Sequence, residues 1–233
     1  MKLLTELHLI EGQRSNIYLW QGQNGLIMID AGSPGDEKMI LDYLEENGFQ
    51  ASDLAAIFIT HADIDHAGTA AAIQAHSGAM VYASAETADL LARGKSPDHM
   101  PRVVQFILDH FMGYAPVEPE AIHVVAEGDE LDELTDFQVL ATPGHTLDHH
   151  SIGSDVHGIL FAGDALNARG GRLNSSPKRV SADYETACQS AMRLLRLHPA
   201  IFACGHGLPL ENHDATDIMA LYRQLEQQVR SDD

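Results

Sequence analysis

The chain has 233 residues, a length that suits one generous domain or two small ones, and no low-complexity run or linker divides it, so a single domain spanning 1–233 is expected. Hydrophobic residues make up 45%, enough for a sizeable core. Against 14 Lys and Arg stand 34 Asp and Glu, a net charge of -20 that repels phosphate backbones and anionic lipid and argues against nucleic-acid and membrane-surface partners.

Residues 3 to 30 read as two or three antiparallel strands, with Asn16 to Trp20 and Gly25 to Asp30 the clearest. Asp30 ends the run Leu-Ile-Met-Ile and precedes Ala-Gly-Ser-Pro-Gly. A carboxylate there either braces a metal loop from behind or caps the turn, and the residues weigh the two equally. Ser33 and Pro34 form a helix start, with Met39, Ile40, Leu41, Tyr43 and Leu44 on the helix and Gly48 as its stop. Ala55 to Thr60 is a short buried strand, because a continuous apolar run leaves no polar face for solvent. It stops at His61, Asp63, Asp65 and His66, four divalent-metal ligand types within six positions. Sites in α/β proteins collect at the carboxyl ends of strands, so chemistry is expected here.

An Ala-rich helix is predicted over 67–76, a strand over Ala79 to Ala83, and a helix capped by Ser84 that runs to about Arg93. Pro101 followed by Val103, Val104, Phe106, Ile107, Phe111 and Met112 predicts an amphipathic helix within a less regular segment, 94–120. That segment suits a lid insertion over a cleft, although packing on the domain's own core explains the same pattern more plainly. His123 to Val125, Phe137 to Ala141, Ser151 to Gly153 and Gly158 to Ala162 then read as strands. A helix over 182–197 with Ser181 as N-cap, strand Ala200 to Cys204 and a closing helix from about Asp214 to Arg230 complete the chain. Sheets alternating with helices imply two packed sheets with helices outside. Ligand types recur where strands stop: His145 after Thr-Pro-Gly, Asp164 after Gly163, and His206 between Gly205 and Gly207, each glycine allowing a sharp turn.

Thr60-His-Ala-Asp-Ile-Asp-His66 resembles the His-x-His-x-Asp-His signature of the metallo-β-lactamase superfamily. Thr142-Pro-Gly-His-Thr146, Gly163-Asp164 and Gly205-His206-Gly207 match its later motifs in order, and Ile27 to Gly32 resembles its early strand and turn. The resemblance covers nearly the whole chain and implies an α/β (α+β) fold, the four-layer αβ/βα sandwich, with a metal site at the edge shared by the two sheets. Carried over position by position, it implies one metal on His61, Asp63 and His145, a second on Asp65, His66 and His206, and Asp164 bridging them. Two divalent ions about 3.5–4 Å apart, zinc first and Mn or Fe as alternatives, would share a hydroxide that attacks a carbonyl or phosphoryl centre. Asp65 is the alternative general base where only one metal is present. The departure is Asp63, where the common signature has His. A carboxylate there hardens the ligand set, shifts preference towards Mn or Fe, and makes the hydroxide less acidic. A similar pattern with Glu occurs in the diiron, oxygen-reducing branch, so a diiron oxidoreductase of oxygen-reducing or sulfur-oxidising type is the rival reading, although the flavin domain usual there has no room here.

The resemblance implies a metal-dependent hydrolase of small molecules. Only one helix follows His206, where the glyoxalase II branch usually has a further helical domain, and the cytoplasmic expectation and Asp63 argue against β-lactams. A lactone, thioester or phosphoester remains. A binding protein that has lost catalysis is disfavoured, because all seven ligand positions hold ligating residue types. His149, His150 and His110 are candidate substrate contacts that more plainly stabilise loops. Arg169, Arg172 and Lys178 concentrate basic charge in loop 166–178, either for a substrate anion or as a solvated surface. Cys188 and Cys204 lack ligand or redox spacing and read as reduced, buried thiols. Glu6 and His8 interrupt the early apolar stretch, so no signal peptide is expected, and no run approaches membrane-spanning length, which makes the cytoplasm the expected location. The oligomeric state is left open, a dimer included.

Overall fold

A computed structural model describes residues 1–22, 24–131, 136–211 and 214–231; the side chains of 108–111 and 231, His110 among them, lie outside the described set. The chain starts with an antiparallel meander of β1 (Leu7–Glu11), β2 (Asn16–Gly22) and β3 (Gly25–Ile29), in which Leu7 pairs with Trp20 and Tyr18 with Ile29. Helix α1 (Glu37–Glu46) returns the chain to β4 (Leu54–Phe58), parallel to β3. Helices α2 (Ile64–Ala67) and α3 (Ala70–Ser77) lead to β5 (Met80–Ala83), and α4 (Ala85–Arg93) and α5 (Arg102–Phe111) to β6 (Ile122–Val124). The second half holds β7 (Gln138–Ala141), β8 (His150–Ser154) and β9 (Ile159–Gly163), the short ribbon β10 (Leu166–Asn167) and β11 (Asn174–Ser175), helix α6 (Tyr184–Leu195), β12 (Ile201–Cys204), β13 (Leu210–Glu211) and helix α7 (Ala215–Ser231). One sheet runs β1-β2-β3-β4-β5-β6 and the other β13-β12-β9-β8-β7.

Three apolar clusters account for the layering. Leu9, Ile27, Ile29 and Phe58 of the first sheet meet Ile152, Phe161 and Ile201 of the second, together with Phe137 just before β7. On the other face of that sheet Leu19 of β2, Met28 of β3 and Ile57 of β4 pack with Ile40, Leu44 and Ile73 of α1 and α3. Leu160 and Phe202 of the second sheet pack on Cys188, Leu194, Ile218 and Leu225 of α6 and α7. Both faces of each sheet are therefore covered, which is why runs such as Leu26 to Ile29 are apolar without alternation. The result is the expected four-layer αβ/βα sandwich.

The helix starts differ from the sequence reading in three places. Helix α1 begins at Glu37, because the Asp36 carboxylate turns back to accept from Ser33 N at 2.8 Å and makes Ser33 to Asp36 a turn of its own. The helix predicted from residue 67 already starts at Ile64 and breaks at Gly68, which packs so tightly on the 31–34 turn that a Cβ there would lie 2.4 Å from Pro34. Asp183, not Ser181, caps α6 by accepting from Thr186 N, while Ser181 Oγ donates to Pro177 O. The plainer expectation for 94–120 also fails. Val103 is 74% and Phe106 55% exposed, and the residues that enter the core from this segment are Tyr114 and Val117, beyond α5.

Candidate metal centre

Four strand ends meet at one edge of the sandwich. The turn after β4 delivers His61 and Asp63 and passes into α2, which carries Asp65 and His66; the turns after β7, β9 and β12 deliver His145, Asp164 and His206. Backbone hydrogen bonds fix these turns against one another: Ala31 N donates to His66 O, His150 N to Thr60 O, and Gly205 N to Gly163 O. Two glycines make room for the cluster. Gly163 has φ +51°, and a Cβ on it would lie 2.5 Å from His149 Nε2; a Cβ on Gly205 would lie 2.4 Å from Asp164 Oδ1 and 2.6 Å from His66 Cε1.

The seven predicted residues come together with a consistent polarity. Each of the four histidines ties its Nδ1 to a protein oxygen: His61 to Thr60 Oγ1 at 2.9 Å, His66 to Asp30 Oδ2 at 2.8 Å, His145 to Ser176 Oγ at 2.8 Å and His206 to the Arg14 carbonyl at 3.0 Å. Their Nε2 atoms then point inward. His61 Nε2 lies 3.5 Å and His145 Nε2 3.3 Å from Asp63 Oδ2. His66 Nε2 lies 3.5 Å from Asp164 Oδ1, and His145 and His206 Nε2 lie 3.6 and 3.1 Å from Asp164 Oδ2. His206 Nε2 is 3.9 Å from Asp65 Oδ2. The potential ligand atoms of His61, His145 and Asp164 lie within 4.8 Å of one another, as do those of Asp65, His66 and His206, so Asp164 stands between two sets.

His61 Nε2, His66 Nε2 and Asp164 Oδ1 are buried without a hydrogen-bond partner. Such an atom costs about 1–3 kcal/mol. Two imidazole nitrogens and a carboxylate oxygen left unpaired at one point fit a cation, which would take the place of the proton that the surrounding carboxylates favour on His66. Asp30 braces the cluster from behind. Its carboxylate accepts from Thr60 N at 2.8 Å, from Thr60 Oγ1 at 3.0 Å and from His66 Nδ1, and its own backbone is held at φ +59°. The brace, not the turn cap, is the observed role.

Charge balances within the cluster. Burial opposes ionisation of Asp164, but the imidazoles of His66, His206 and His145 outweigh it and hold the carboxyl well below the usual range. Burial likewise opposes Asp63, and hydrogen bonds from His145, His61 and His99 hold it down. His66 loses to burial and gains more from Asp164, Asp30 and Asp65, which push it up to about 10. His149 is the opposite case. Burial and the neighbouring His61 and His145 keep it neutral, with Nε2 accepting from Asp164 N at 2.9 Å and Nδ1 pairing with Thr142 Oγ1 at 2.8 Å. It holds the Asp164 turn and has no free nitrogen for substrate. His150 is also a loop residue, its Nδ1 on the Asp148 carbonyl.

A cleft of about 450 Å³ opens over Asp63, Asp65, His145, Asp164 and His206, walled by Met100, Pro177 and Val180 and flanked by Arg14 and Arg169. Of the basic residues in loop 166–178, Arg169 lines this cleft, whereas Lys178 lies over the Tyr184 ring. The residue that sequence reasoning missed is His99. Its side chain is fully buried, with Nε2 2.8 Å from Asp63 Oδ1 and Nδ1 donating to the Val180 carbonyl at 3.0 Å. Burial disfavours its charge, and Asp63 and the carbonyl outweigh that and raise its pKa. It sits alone in irregular sequence, where no spacing points to it.

A family model described as the metallo-beta-lactamase superfamily matches residues 10–206. The Bacillus subtilis (strain 168) protein named "Probable metallo-hydrolase YflN" is 26% identical over 240 residues, 94% of this chain and 90% of its own. A hydroxyacylglutathione hydrolase of Hahella chejuensis is 32% identical over 216 residues, 90% of this chain and 68% of its own. Among solved structures, a metallo-beta-lactamase family protein of Thermus thermophilus superposes with a TM-score of 0.72 at 22% identity, covering 98% of this chain and 80% of that one. The Rm3 metallo-beta-lactamase gives 0.73 at 21%, covering 99% and 92%. The chain belongs to the metallo-beta-lactamase superfamily, and its assignment as a metal-dependent hydrolase is borne out. Among the described residues no helix is long and apolar enough to cross a membrane.

Proposed function

We propose that this single-domain protein is a dinuclear hydrolase of a small anionic thioester, lactone or phosphoester. The observation that carries the reading is the shared orientation of the four histidines: every Nδ1 is tied to a protein oxygen, which leaves every Nε2 facing the cluster of Asp63 and Asp164 as a potential ligand atom. His61, Asp63 and His145 would hold one divalent ion, Asp65, His66 and His206 a second, with Asp164 between them; four imidazoles favour zinc. Held there, such a pair would supply a hydroxide near neutral pH and Lewis acidity for the oxygen of the bond under attack. No Ser or Cys nucleophile is required.

The remaining residues bind and orient. Arg14 and Arg169 flank the cleft, and among the described residues the ion pairs of Lys and Arg involve Lys38, Arg93, Arg193 and Arg230 instead. In a chain of net charge -20, two free guanidiniums at the mouth suit a carboxylate or phosphate on the substrate. The hydroxyacylglutathione hydrolases among the relatives lend weight to the thioester. Cys188 and Cys204 are free and buried, which suits a cytoplasmic setting.

Elemental analysis of protein purified without chelator, with a visible spectrum, tests the reading together with Asp164→Ala. Two equivalents of zinc in colourless protein are expected, and the variant should lose both metal and turnover on a panel of the three ester classes. Unchanged turnover in Asp164→Ala refutes the dinuclear reading, and two equivalents of iron with a charge-transfer band would replace hydrolysis with redox chemistry.

A further inference from the structure

We propose that His99 is a positioning residue for Asp63, holding one carboxylate oxygen so that the other alone faces the metal centre. The inference rests on the reading of the site as a metal centre, and it starts from how Asp63 is placed. Asp63 is the N-cap residue of α2, a position at which a carboxylate normally turns onto the first helical N–H groups. Here it makes no such bond. The side chain is turned to the cluster instead, with Oδ2 facing His61 Nε2 and His145 Nε2 at 3.5 and 3.3 Å. Oδ1 points the other way, onto His99 Nε2 at 2.8 Å.

Distance separates the two kinds of contact. The inward-facing pairs around Asp63 and Asp164 lie 3.1–3.6 Å apart, weak or long as hydrogen bonds and also the spacing of ligand atoms that share an ion. The His99 contact, at 2.8 Å, is the short hydrogen bond to Asp63 and the one made to the oxygen that faces away from His61 and His145. His99 is itself fixed, because Nδ1 donates to the Val180 carbonyl at 3.0 Å and the ring packs against that of His145 at 4.9 Å. The carboxylate can then neither swing back to cap α2 nor present both oxygens to one ion. His99 also joins the segment between α4 and α5 to the 177–181 turn. Its neighbour Met100 and its partner Val180 both line the cleft, so the residue that aims Asp63 also sets one cleft wall.

Direct ligation is the competing role, since ligand atoms of Asp63, His99 and His145 also fall within 4.8 Å of one another. Competition titration of Zn²⁺ against a chromophoric chelator, on chelator-stripped protein, separates the two. His99→Leu preserves bulk and cannot donate. It is expected to weaken one of the two equivalents by about 10–100-fold, the range for loss of an outer partner of a metal ligand, and to leave the other unchanged. His99→Gln, whose amide N–H can still reach Asp63, should recover most of that loss, a rescue that lost packing would not give. His99→Asn, polar but too short to reach, replaces the Leu variant if the latter fails to fold.

Wild-type affinity for both equivalents in the Leu variant overturns the proposal. So does outright loss of one equivalent with no rescue by Gln, which would make His99 a ligand. Wild-type protein that takes up a single equivalent refutes the dinuclear reading separately, and His99 is then judged on that equivalent by the same comparison. Wild-type protein that takes up none overturns both.

Discussion

Asp30→Asn changes one atom, does not change the shape, and should cost metal affinity through a proton. Asp30 is 2% exposed and divides its two oxygens between different donors: Oδ1 takes Thr60 N at 2.8 Å and Oδ2 takes His66 Nδ1 at 2.8 Å. In the variant the amide oxygen must stay on the Thr60 side, because a backbone N–H can only donate. The new NH₂ group therefore faces His66 Nδ1. Either two donors oppose each other at hydrogen-bond distance, or His66 moves its proton to Nε2, where it blocks the lone pair needed by the metal. Restoring the binding tautomer leaves a buried donor unpaired, which costs about 1–3 kcal/mol. At about 1.4 kcal/mol per tenfold, one zinc equivalent should weaken by about 5- to 150-fold. The stripped variant should fold but melt below wild type, because the neutral amide no longer supports the positive charge that Asp164, Asp30 and Asp65 favour on His66 in metal-free protein. Chelator competition measures the affinity, and calorimetry of stripped protein checks the fold. Wild-type affinity for both equivalents would refute the argument that Asp30 sets the tautomer of His66.

Other parts of the site give further expectations. In Gly205→Ala the new Cβ would lie 2.4 Å from Asp164 Oδ1 and 2.6 Å from His66 Cε1, so the protein should fold with a loss of about 1–3 kcal/mol and retain less than two equivalents after dialysis; two fully occupied sites would show that Asp164 is not confined there. Arg14→Gln and Arg169→Gln should each raise KM by about tenfold for an anionic ester while leaving kcat, and the KM of a neutral isostere, unchanged. Equal effects on both substrates would mean that the guanidiniums shape the cleft without binding charge.

The clustered residues were legible because each lies just after an apolar strand and, in three of the four turns, directly after a glycine, features confined to a few neighbouring positions. His61 to His66 follow β4, and Gly144, Gly163 and Gly205 announce His145, Asp164 and His206. Helix starts were less legible, because a local cap competes with tertiary demand. Asp36 serves the Ser33 and Gln13 amides, and Gly68 must pack on Pro34 before a helix can continue. Exposure of α5 was not legible at all. An amphipathic pattern states that a helix has an apolar face and is silent on what covers it. His99 failed for a related reason. Its partners, Asp63 and Val180, lie 36 and 81 residues away in sequence, so no local pattern encodes the contact.

The division of the site between the sheets raises the question of what keeps its geometry without ions. The first sheet and its turns supply Asp30, His61, Asp63, Asp65 and His66, and the second supplies His145, Asp164 and His206, so bound ions would cross-link the two. Part of that link is already made by neutral groups. Asn16 and Tyr18, both on β2, donate side-chain hydrogen bonds to the Cys204 carbonyl at 2.9 and 2.8 Å, Asn16 Nδ2 also reaches Gly207 O, and Asn16 N donates to Gly205 O at 2.8 Å. These bonds flank His206 on both sides. They fix His206 of the second sheet against the first strands of the chain, and burial of Tyr18 keeps its hydroxyl protonated, with a pKa raised far above the usual phenol range. A metal bound at this site as proposed would therefore meet side chains that are already aimed, and less of its binding free energy would be used in ordering them.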